Sequence, residues 1–149
     1  MEFLAKSFDE LTNRELYEIL KSRAEVFMLG QGIICQDMDG VDYKSRHFFL
    51  WENEKICAYL RAFYCSENDV RIGRVLAINK RQGIGSQLMK NVLSYIKNNM
   101  PCDKISVNSQ TQAAGFYEKF GFERISDEFM EEGVPHLKMQ LGLEFSDKN

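Results

Sequence analysis

A strand-like segment, two glycines and a helical segment follow one another in residues 74–89, which read RVLAINKRQGIGSQLM. Glycines such as Gly83 and Gly85 let successive backbone N–H groups point at one centre, and the first turn of a helix adds a partial positive charge there. Lys80 and Arg81 add full positive charges beside the turn. The expected ligand of this stretch is therefore a phosphate or a pyrophosphate.

Two glycines do not identify a nucleotide site by themselves. The G-x-x-x-x-G-K-[ST] pattern is absent, and the third glycine of a dinucleotide fingerprint would fall at Leu88. Taken alone, the stretch fits a glycine-rich start of a helix without a ligand equally well.

A second motif makes the interpretation specific. The segment QTQAAGFYEKFGF at 110–122 resembles the N-x-x-A-x-x-[LF]-Y-[EK]-x-x-G-F segment of the GNAT N-acetyltransferases, with Gln110 at the Asn position. KRQGIG resembles the Q/R-x-x-G-x-G/A acetyl-CoA motif of the same family, with Lys80 where the family has Gln or Arg. Two motifs in the family's order carry much more weight than either motif alone.

Two further segments resemble the ElaA-like branch of that family. RAEVFMLGQGIICQDMDGVD at 23–42 is similar to its pattern R-x-x-V-F-x-x-E-Q-x-C-P-Y-Q-D-x-D-G-x-D, and EEGVPHLKM at 131–139 is similar to D-G-[IV]-P-H-x-x-M. Gly30 replaces the glutamate, and Ile-Ile-Cys at 33–35 replaces Cys-Pro-Tyr. These departures bear on substrate preference more than on the fold or the thioester.

The resemblance implies acetyl-CoA as a co-substrate, bound mainly around the glycine turn. Backbone groups of the strand before the turn would bind the pantetheine arm and stabilise the thioester oxygen, and the turn itself would hold the pyrophosphate. The implied acetyl-CoA residues are Val75, Leu76, Ala77, Lys80, Arg81, Gln82, Gly83, Ile84, Gly85, Ser86 and Gln110.

Acyl transfer from a thioester to an amine needs a proton donor for the departing thiolate and an acceptor for the proton of the amine. Tyr117 is the candidate donor, because a phenol is protonated at neutral pH and the resemblance places this residue beside the sulfur. His136 is the candidate base, directly or through water. The alternatives are a tyrosine that only packs and a histidine that donates to the backbone; for His136 the two interpretations are equally strong.

The acidic loop after the first helix is the candidate acceptor site. Asp37 and Asp39 can bind the ammonium group of an amine as fixed carboxylates, and Gln31 is assigned to the same site. The alternative is a solvated loop with Asp-Gly turn chemistry. Arg61 and Arg74 lie on adjacent predicted strands, where they can pair with acids or hold an anionic group of the substrate.

Composition limits the function classes. The chain has 149 residues, 44% of them hydrophobic, which suffices for one compact domain. A net charge of −3 offers no general attraction to nucleic acid, and no apolar run approaches the ~18 residues of a membrane span. The four cysteines form no CxxC pair and only two histidines are available as ligands, so no metal site is expected. His47 begins an apolar strand and is interpreted as a structural residue. With no signal-peptide pattern at the N-terminus, we expect a cytoplasmic protein with reduced thiols; a homodimer is compatible with the sequence.

The order of elements predicts an α/β (α+β) fold. A capping box at Thr12 and Glu15 begins a helix over about 13–28, and the last hairpin joins 122–129 to 136–141. The predicted order, β-α-β-β-β-α-β-α-β-β, matches that of GNAT proteins. It implies a single GNAT domain over residues 1–143, with a mixed, mostly antiparallel sheet of six to seven strands and about four helices, and a short tail over 144–149.

We therefore expect an N-acetyltransferase that uses acetyl-CoA in a ternary complex with an amine of a small molecule or peptide. Two alternatives stay open. One is a non-catalytic acyl-CoA-binding module that has lost turnover, and the other is a protein-interaction domain whose acidic loop holds a basic partner.

Overall fold

The computed structural model describes residues 1–78 and 83–143. Lys80, Arg81 and Gln82, three of the implied acetyl-CoA residues, lie outside the described residues, as does the predicted tail at 144–149. In the described part, eight strands form one mixed, mostly antiparallel sheet, accompanied by three α-helices. The predicted fold class is confirmed, with more strands and fewer α-helices than the sequence led us to expect.

The strands do not all lie in the sheet in the order in which they follow one another along the chain. The strand order is β1-β2-β3-β4-β5-β8-β6, with β7 also paired to β8, and β4 and β5 are the parallel pair because helix α2 connects them. The strands are β1 (Glu2–Ser7), β2 (Arg46–Glu52), β3 (Lys55–Ser66), β4 (Asp69–Ala77), β5 (Lys104–Gln110), β6 (Glu123–Arg124), β7 (Phe129–Glu131) and β8 (Val134–Gly142). The helices are α1 (Asn13–Arg23), α2 (Ile84–Asn99) and α3 (Ala114–Glu118).

Helix α1 begins at the predicted capping box. The Glu15 N–H donates to Thr12 Oγ1 (3.1 Å), and the Thr12 N–H donates to Glu15 Oε1 (2.9 Å). The single helix expected over 13–28 is instead an α-helix that ends at Arg23, followed by a π-helical segment, Ala24–Gly30. Such π-helical turns occur frequently at functional sites.

The strand expected over 122–129 is interrupted. Residues of β6 and β7 pair with different parts of β8, and the loop between them leaves the ladder. The Lys138 N–H donates to Ser126 Oγ (2.9 Å), and Arg124 Nε donates to the Ser126 carbonyl (2.9 Å). Side-chain hydrogen bonds therefore attach this loop to β8 where a continuous strand was predicted.

The sheet has an apolar cluster on each face, and the two clusters differ in extent. Helix α2 packs Leu88, Val92 and Ile96, at helical spacing, into the larger cluster. The smaller cluster, around Ile19 and Tyr59, lies under α1 and spans only part of the other face. The remainder of that face, over β4, β5 and β8, carries the polar residues described below.

None of the helices in the two described ranges combines the length and the apolarity that a membrane span requires. Within the same ranges, no three His, Cys, Asp or Glu side chains are grouped so that they could hold a metal ion.

Candidate active site

A cleft opens where strands β4 and β5 part. The two strands pair from Asp69 and Lys104 as far as Ile72 and Val107. Beyond this point, in the part of the chain that the structure describes, β4 pairs with β3 alone and β5 with β8 alone. A cavity of about 700 Å³ lies at the divergence. The edge of β4 beyond Ile72 is therefore open to the polar groups of a ligand.

A β-bulge in β4 marks the start of this open edge. Tyr59 pairs with Leu76 and Arg61 pairs with Gly73, so β4 has one more residue than β3 over the interval. Arg74 adopts φ +54°, a left-handed conformation that costs a non-glycine residue roughly 1–3 kcal/mol. The bulge redirects the Arg74 side chain from the regular alternation of the strand to the acidic loop.

Most of the predicted site residues in the described part line this one cavity. Gln110 Nε2 donates to Gln31 Oε1 (3.0 Å), so a residue assigned to acetyl-CoA contacts one assigned to the acceptor. Gly83, Ile84 and Ser86 are not in the lining but lie at the start of α2. The predicted residues in the lining are Gln31, Asp37, Asp39, Val75, Leu76, Ala77, Gly85, Gln110, Tyr117 and His136.

The N-terminus of helix α2 has the geometry of an anion site. Gly83 is its N-cap residue with φ +81°, and no described atom lies within 4 Å of the position that a Cβ would take. The Gly83 carbonyl accepts the first helical hydrogen bond, from the Gln87 N–H (2.8 Å), so the N–H groups of the first turn have no intrahelical partner. Backbone donors and the positive end of the helix dipole therefore make the start of α2 suited to an anion.

Tyr117 is held in the wall of the cavity by aromatic contacts. Its ring packs edge-on against Phe116 (5.2 Å between centroids) and Phe122 (5.7 Å). Its hydroxyl makes no hydrogen bond to another residue within 1–78 or 83–143. Burial raises the pKa of Tyr117 above its ordinary value, so the phenol keeps its proton throughout the physiological range.

The sequence left open whether His136 is a catalytic base or a histidine that donates to the backbone, and the structure is compatible with both roles. Nδ1 donates to the Val134 carbonyl (2.7 Å), which fixes the ring and, in the neutral form, leaves the lone pair on Nε2. The ring stacks on Phe129, and Nε2 lies 4.0 Å from Glu131 Oε2. The backbone bond is therefore present, and it leaves the second nitrogen able to accept a proton in the cavity.

Three arginines and three aspartates form a closed network beneath the acidic loop. Arg23 is fully buried and donates to Asp37 (Nε to Oδ2, 2.9 Å) and to Asp42 (Nη1 to Oδ1, 2.8 Å). Arg61 donates to Asp42 as well and forms a bidentate pair with Asp39, with Nη2 and Oδ2 2.7 Å apart. These arginines hold the pKa of Asp39 and of Asp42 below the ordinary range.

The network changes the interpretation of the loop aspartates. Both oxygens of Asp37 are engaged, one by Arg23 and the other by Arg74 (Nε to Oδ1, 2.8 Å). Asp39 pairs with Arg61 and Arg74. Arginines of the same chain therefore already compensate the charges of Asp37 and Asp39, and they hold both carboxylates in place. Contact with an acceptor stays a prediction for both.

His47 closes the network on the side of helix α1. Its Nε2 donates to the Asp42 carbonyl (3.0 Å), and its Nδ1 accepts a hydrogen bond from the Tyr59 hydroxyl (2.6 Å). Burial lowers the pKa of His47, so the ring stays neutral. His47 is thus a structural residue, as the sequence suggested.

Three charged residues in the described lining of the cavity were not predicted: Arg71, Glu131 and Glu132. Arg71 lies between Val70 and Ile72, which point into the α2 cluster, so strand alternation alone places its side chain on the cavity face. Glu132 has φ +51° in the two-residue turn between β7 and β8, a position that favours Asn or Gly. That local mismatch was the available signal for Glu132.

Comparisons with known proteins agree with this geometry. Residues 30–143 match the acetyltransferase (GNAT) domain family. A UPF0039 protein of Schizosaccharomyces pombe is 35% identical over 96% of this chain and 98% of its own length. The ElaA protein of Escherichia coli is 32% identical over 87% of this chain and 89% of its own.

Two solved structures are also similar. One, described as an acyl-CoA N-acyltransferase from Pseudomonas aeruginosa, has a TM-score of 0.89 at 29% identity, over 95% of this chain and 100% of its own. The crystal structure of E. coli ElaA has a TM-score of 0.88 at 30% identity, over 95% of this chain and 99% of its own. This chain therefore belongs to the GNAT acetyltransferase family, in its ElaA-like branch.

Proposed function

We propose that the protein transfers an acetyl group from acetyl-CoA to an amine by direct attack in a ternary complex. The observation that carries the proposal is that Tyr117 and His136 both line the cavity at the β4–β5 divergence. Acetyl-CoA would supply the acetyl group as a thioester, and the residues fit it. The open β4 edge suits an amide-rich arm, and the start of α2 suits a pyrophosphate.

In this proposal the chain's own groups handle the protons. His136 Nε2 accepts a proton from the ammonium form of the acceptor, while its Nδ1–H keeps the ring oriented on the Val134 carbonyl. The Tyr117 hydroxyl, which its raised pKa keeps protonated, donates a proton to the departing thiolate, and the proton that the attacking nitrogen loses as the amide forms replaces it. Backbone N–H groups of Val75, Leu76 or Ala77 stabilise the thioester oxygen.

Two other assignments belong to the proposal. Acetyl-CoA and an amine acceptor are the partners, and a homodimer stays a prediction. None of the described cysteines is in a disulfide, which fits a reducing, cytoplasmic location. A protein-interaction role for the acidic loop is less well supported, because Asp37, Asp39 and Asp42 already pair with arginines.

Release of free CoA thiol from acetyl-CoA, measured with a panel of amines, tests the proposal. Amine-dependent release above the rate of hydrolysis is the expected result. Tight binding of CoA without release for any amine would favour the non-catalytic acyl-CoA-binding module.

Gly83→Asp should weaken CoA binding by at least tenfold relative to Gly83→Asn. Both residues tolerate the left-handed φ of +81° better than other side chains, so the pair differs mainly by one negative charge. That charge would face the proposed pyrophosphate, whose charge-assisted hydrogen bonds are worth roughly 1.5–3 kcal/mol each. Isothermal titration with CoA measures the effect. If the two variants bind CoA with equal affinity, the start of α2 is not part of the CoA site.

His136→Gln should lower kcat and remove the acidic limb of the pH profile. His136→Asn is the matched variant, because its side-chain amide can still donate to the Val134 carbonyl while it cannot accept a proton at neutral pH. We expect both variants to lose the limb, and the Asn variant to keep more of the thermal stability. An unchanged profile in either folded variant would assign the proton transfer to another group.

A further inference from the structure

One cation in the cavity has no carboxylate partner. Arg61 and Arg74 pair with loop aspartates, whereas Arg71 makes no ion pair with any residue in the described ranges. Its hydrogen bond to a described side chain runs from Nε to Ser106 Oγ (3.2 Å). Both terminal nitrogens of Arg71, a half-buried residue that lines the cavity, are therefore available to a ligand.

The Arg71 side chain is held in place by buried neighbours. Ser106 Oγ accepts from Arg71 Nε and donates in turn to Asp69 Oδ1 (2.8 Å), and both residues are buried. This chain of bonds orients the guanidinium without a direct contact to the Asp69 carboxylate. An oriented guanidinium with two unoccupied terminal nitrogens is suited to bind a carboxylate through two parallel hydrogen bonds.

Another part of the same cavity suits a cationic amine. Glu131 Oε2 lies 4.0 Å from His136 Nε2, and Glu131 Oε1 accepts a long hydrogen bond from Asn108 Nδ2 (3.4 Å). Glu132 lines the same rim, where the turn keeps it at φ +51°. Two carboxylates therefore attract an ammonium group to the imidazole that is proposed to deprotonate it.

The register of the sheet sets the distance between these two parts. Arg71 pairs with Ser106, and His136 pairs with Gln110, four residues further along β5. The two residues lie on opposite sides of β5 and are therefore two strand spacings apart. At about 3.3 Å per residue and about 4.8 Å per strand spacing, the Cα atoms of Arg71 and His136 are roughly 16 Å apart. Both side chains project from the same face into the cavity of about 700 Å³, which has room for a small molecule that carries both groups.

We propose that the acceptor is an amine that also carries a carboxylate, an amino acid or a close analogue, with its carboxylate on Arg71 and its amine beside Glu131 and His136. The inference rests on the proposed function and adds the class of acceptor. A diamine fits less well, because its second cation would face Arg71. An amine that carries no carboxylate leaves the Arg71 guanidinium without a counter-charge.

The experiment compares the common amino acids with their carboxamides, each with wild type, Arg71→Gln and Arg71→Lys. For the best amino acid, we expect the wild type to prefer the acid over the carboxamide by at least tenfold in kcat/KM. Arg71→Gln should lose that preference through a raised KM for the acid, and Arg71→Lys should keep part of it. Arg14→Gln is the control, because Arg14 is an exposed cation paired with Glu54 outside the cavity.

A binding measurement separates this inference from the proposed function. Ligand-observed NMR of the CoA complex, in which no acetyl group is present, should show amino acids binding more weakly to Arg71→Gln than to wild type or Arg14→Gln. Such binding without thiol release from acetyl-CoA would overturn the proposed function and keep the Arg71 site. If carboxamides or diamines are acetylated as efficiently as amino acids, the inference about the acceptor is wrong, while the proposed acetyltransferase activity stands.

Discussion

Tyr117→Phe should lower kcat by roughly ten- to a thousandfold, which corresponds to about 1.4–4 kcal/mol of transition-state stabilisation. The change removes the proposed proton donor for the thiolate and keeps the ring. Because the hydroxyl makes no hydrogen bond to another residue of the described ranges, the packing on Phe116 and Phe122 should persist. We therefore expect CoA affinity and thermal stability close to those of the wild type.

The control for this prediction is Tyr95→Phe. Tyr95 is a half-buried phenol on α2 that packs edge-on against Phe48 and is not in the lining of the cavity. Thiol release, isothermal titration with CoA and thermal unfolding are measured for both variants. If Tyr117→Phe and Tyr95→Phe affect turnover equally, or if the loss of activity follows a loss of stability, Tyr117 is a packing residue.

The features that sequence predicted well are local in the chain. The glycine turn places Gly83 at a positive φ before α2, and the capping box joins Thr12 and Glu15. In each case a few consecutive residues determine the backbone conformation through steric limits or short-range hydrogen bonds. The third helix of the predicted order of elements is also present, as α3, which carries Tyr117.

The features that sequence reasoning missed depend on contacts between distant residues. Asp37 lies 14 positions from Arg23 and 37 positions from Arg74, so no local pattern indicates that its carboxylate is paired. The bulge at Arg74 depends on the register against β3. The split of α1 into an α-helical and a π-helical part likewise accompanies the burial of Arg23 in the network at the junction.

Of the four described non-glycine residues with positive φ, two line the cavity, and the other two, Asn53 and Glu54, form the turn between β2 and β3. Arg74 and Glu132 both have positive φ, both line the cavity, and neither residue type is favoured in that conformation. Arg61 lines it too, and its Nε is buried without a hydrogen-bond partner among the described residues, which costs roughly 1–3 kcal/mol. Such local costs are typical of residues whose placement serves a site.

Arg23→Gln should have the largest effect on stability, a loss of about 3–5 kcal/mol at pH 7. Arg23 is fully buried, and its removal leaves the carboxylates of Asp37 and Asp42 short of a counter-charge. Arg74→Gln is the matched control, because that side chain is 26% exposed and water can replace part of its contacts. Urea unfolding followed by the fluorescence of the single tryptophan, Trp51, gives both free energies of unfolding.

The pH dependence tests whether the effect comes from the ion pairs. The arginines depress the pKa of Asp39 and Asp42 in the folded state, so the network stabilises the fold fully above the unfolded pKa of about 4. That stability is lost as the pH falls from there through the folded values. The difference between wild type and Arg23→Gln should therefore shrink as the pH falls below about 4. A difference that does not change with pH would show that Arg23 stabilises the fold by packing alone. A loss of stability no larger than that of Arg74→Gln would contradict the larger effect expected for the buried arginine. If Arg23→Gln does not fold, Asp42→Asn removes the same pair from the other side and allows the same comparison.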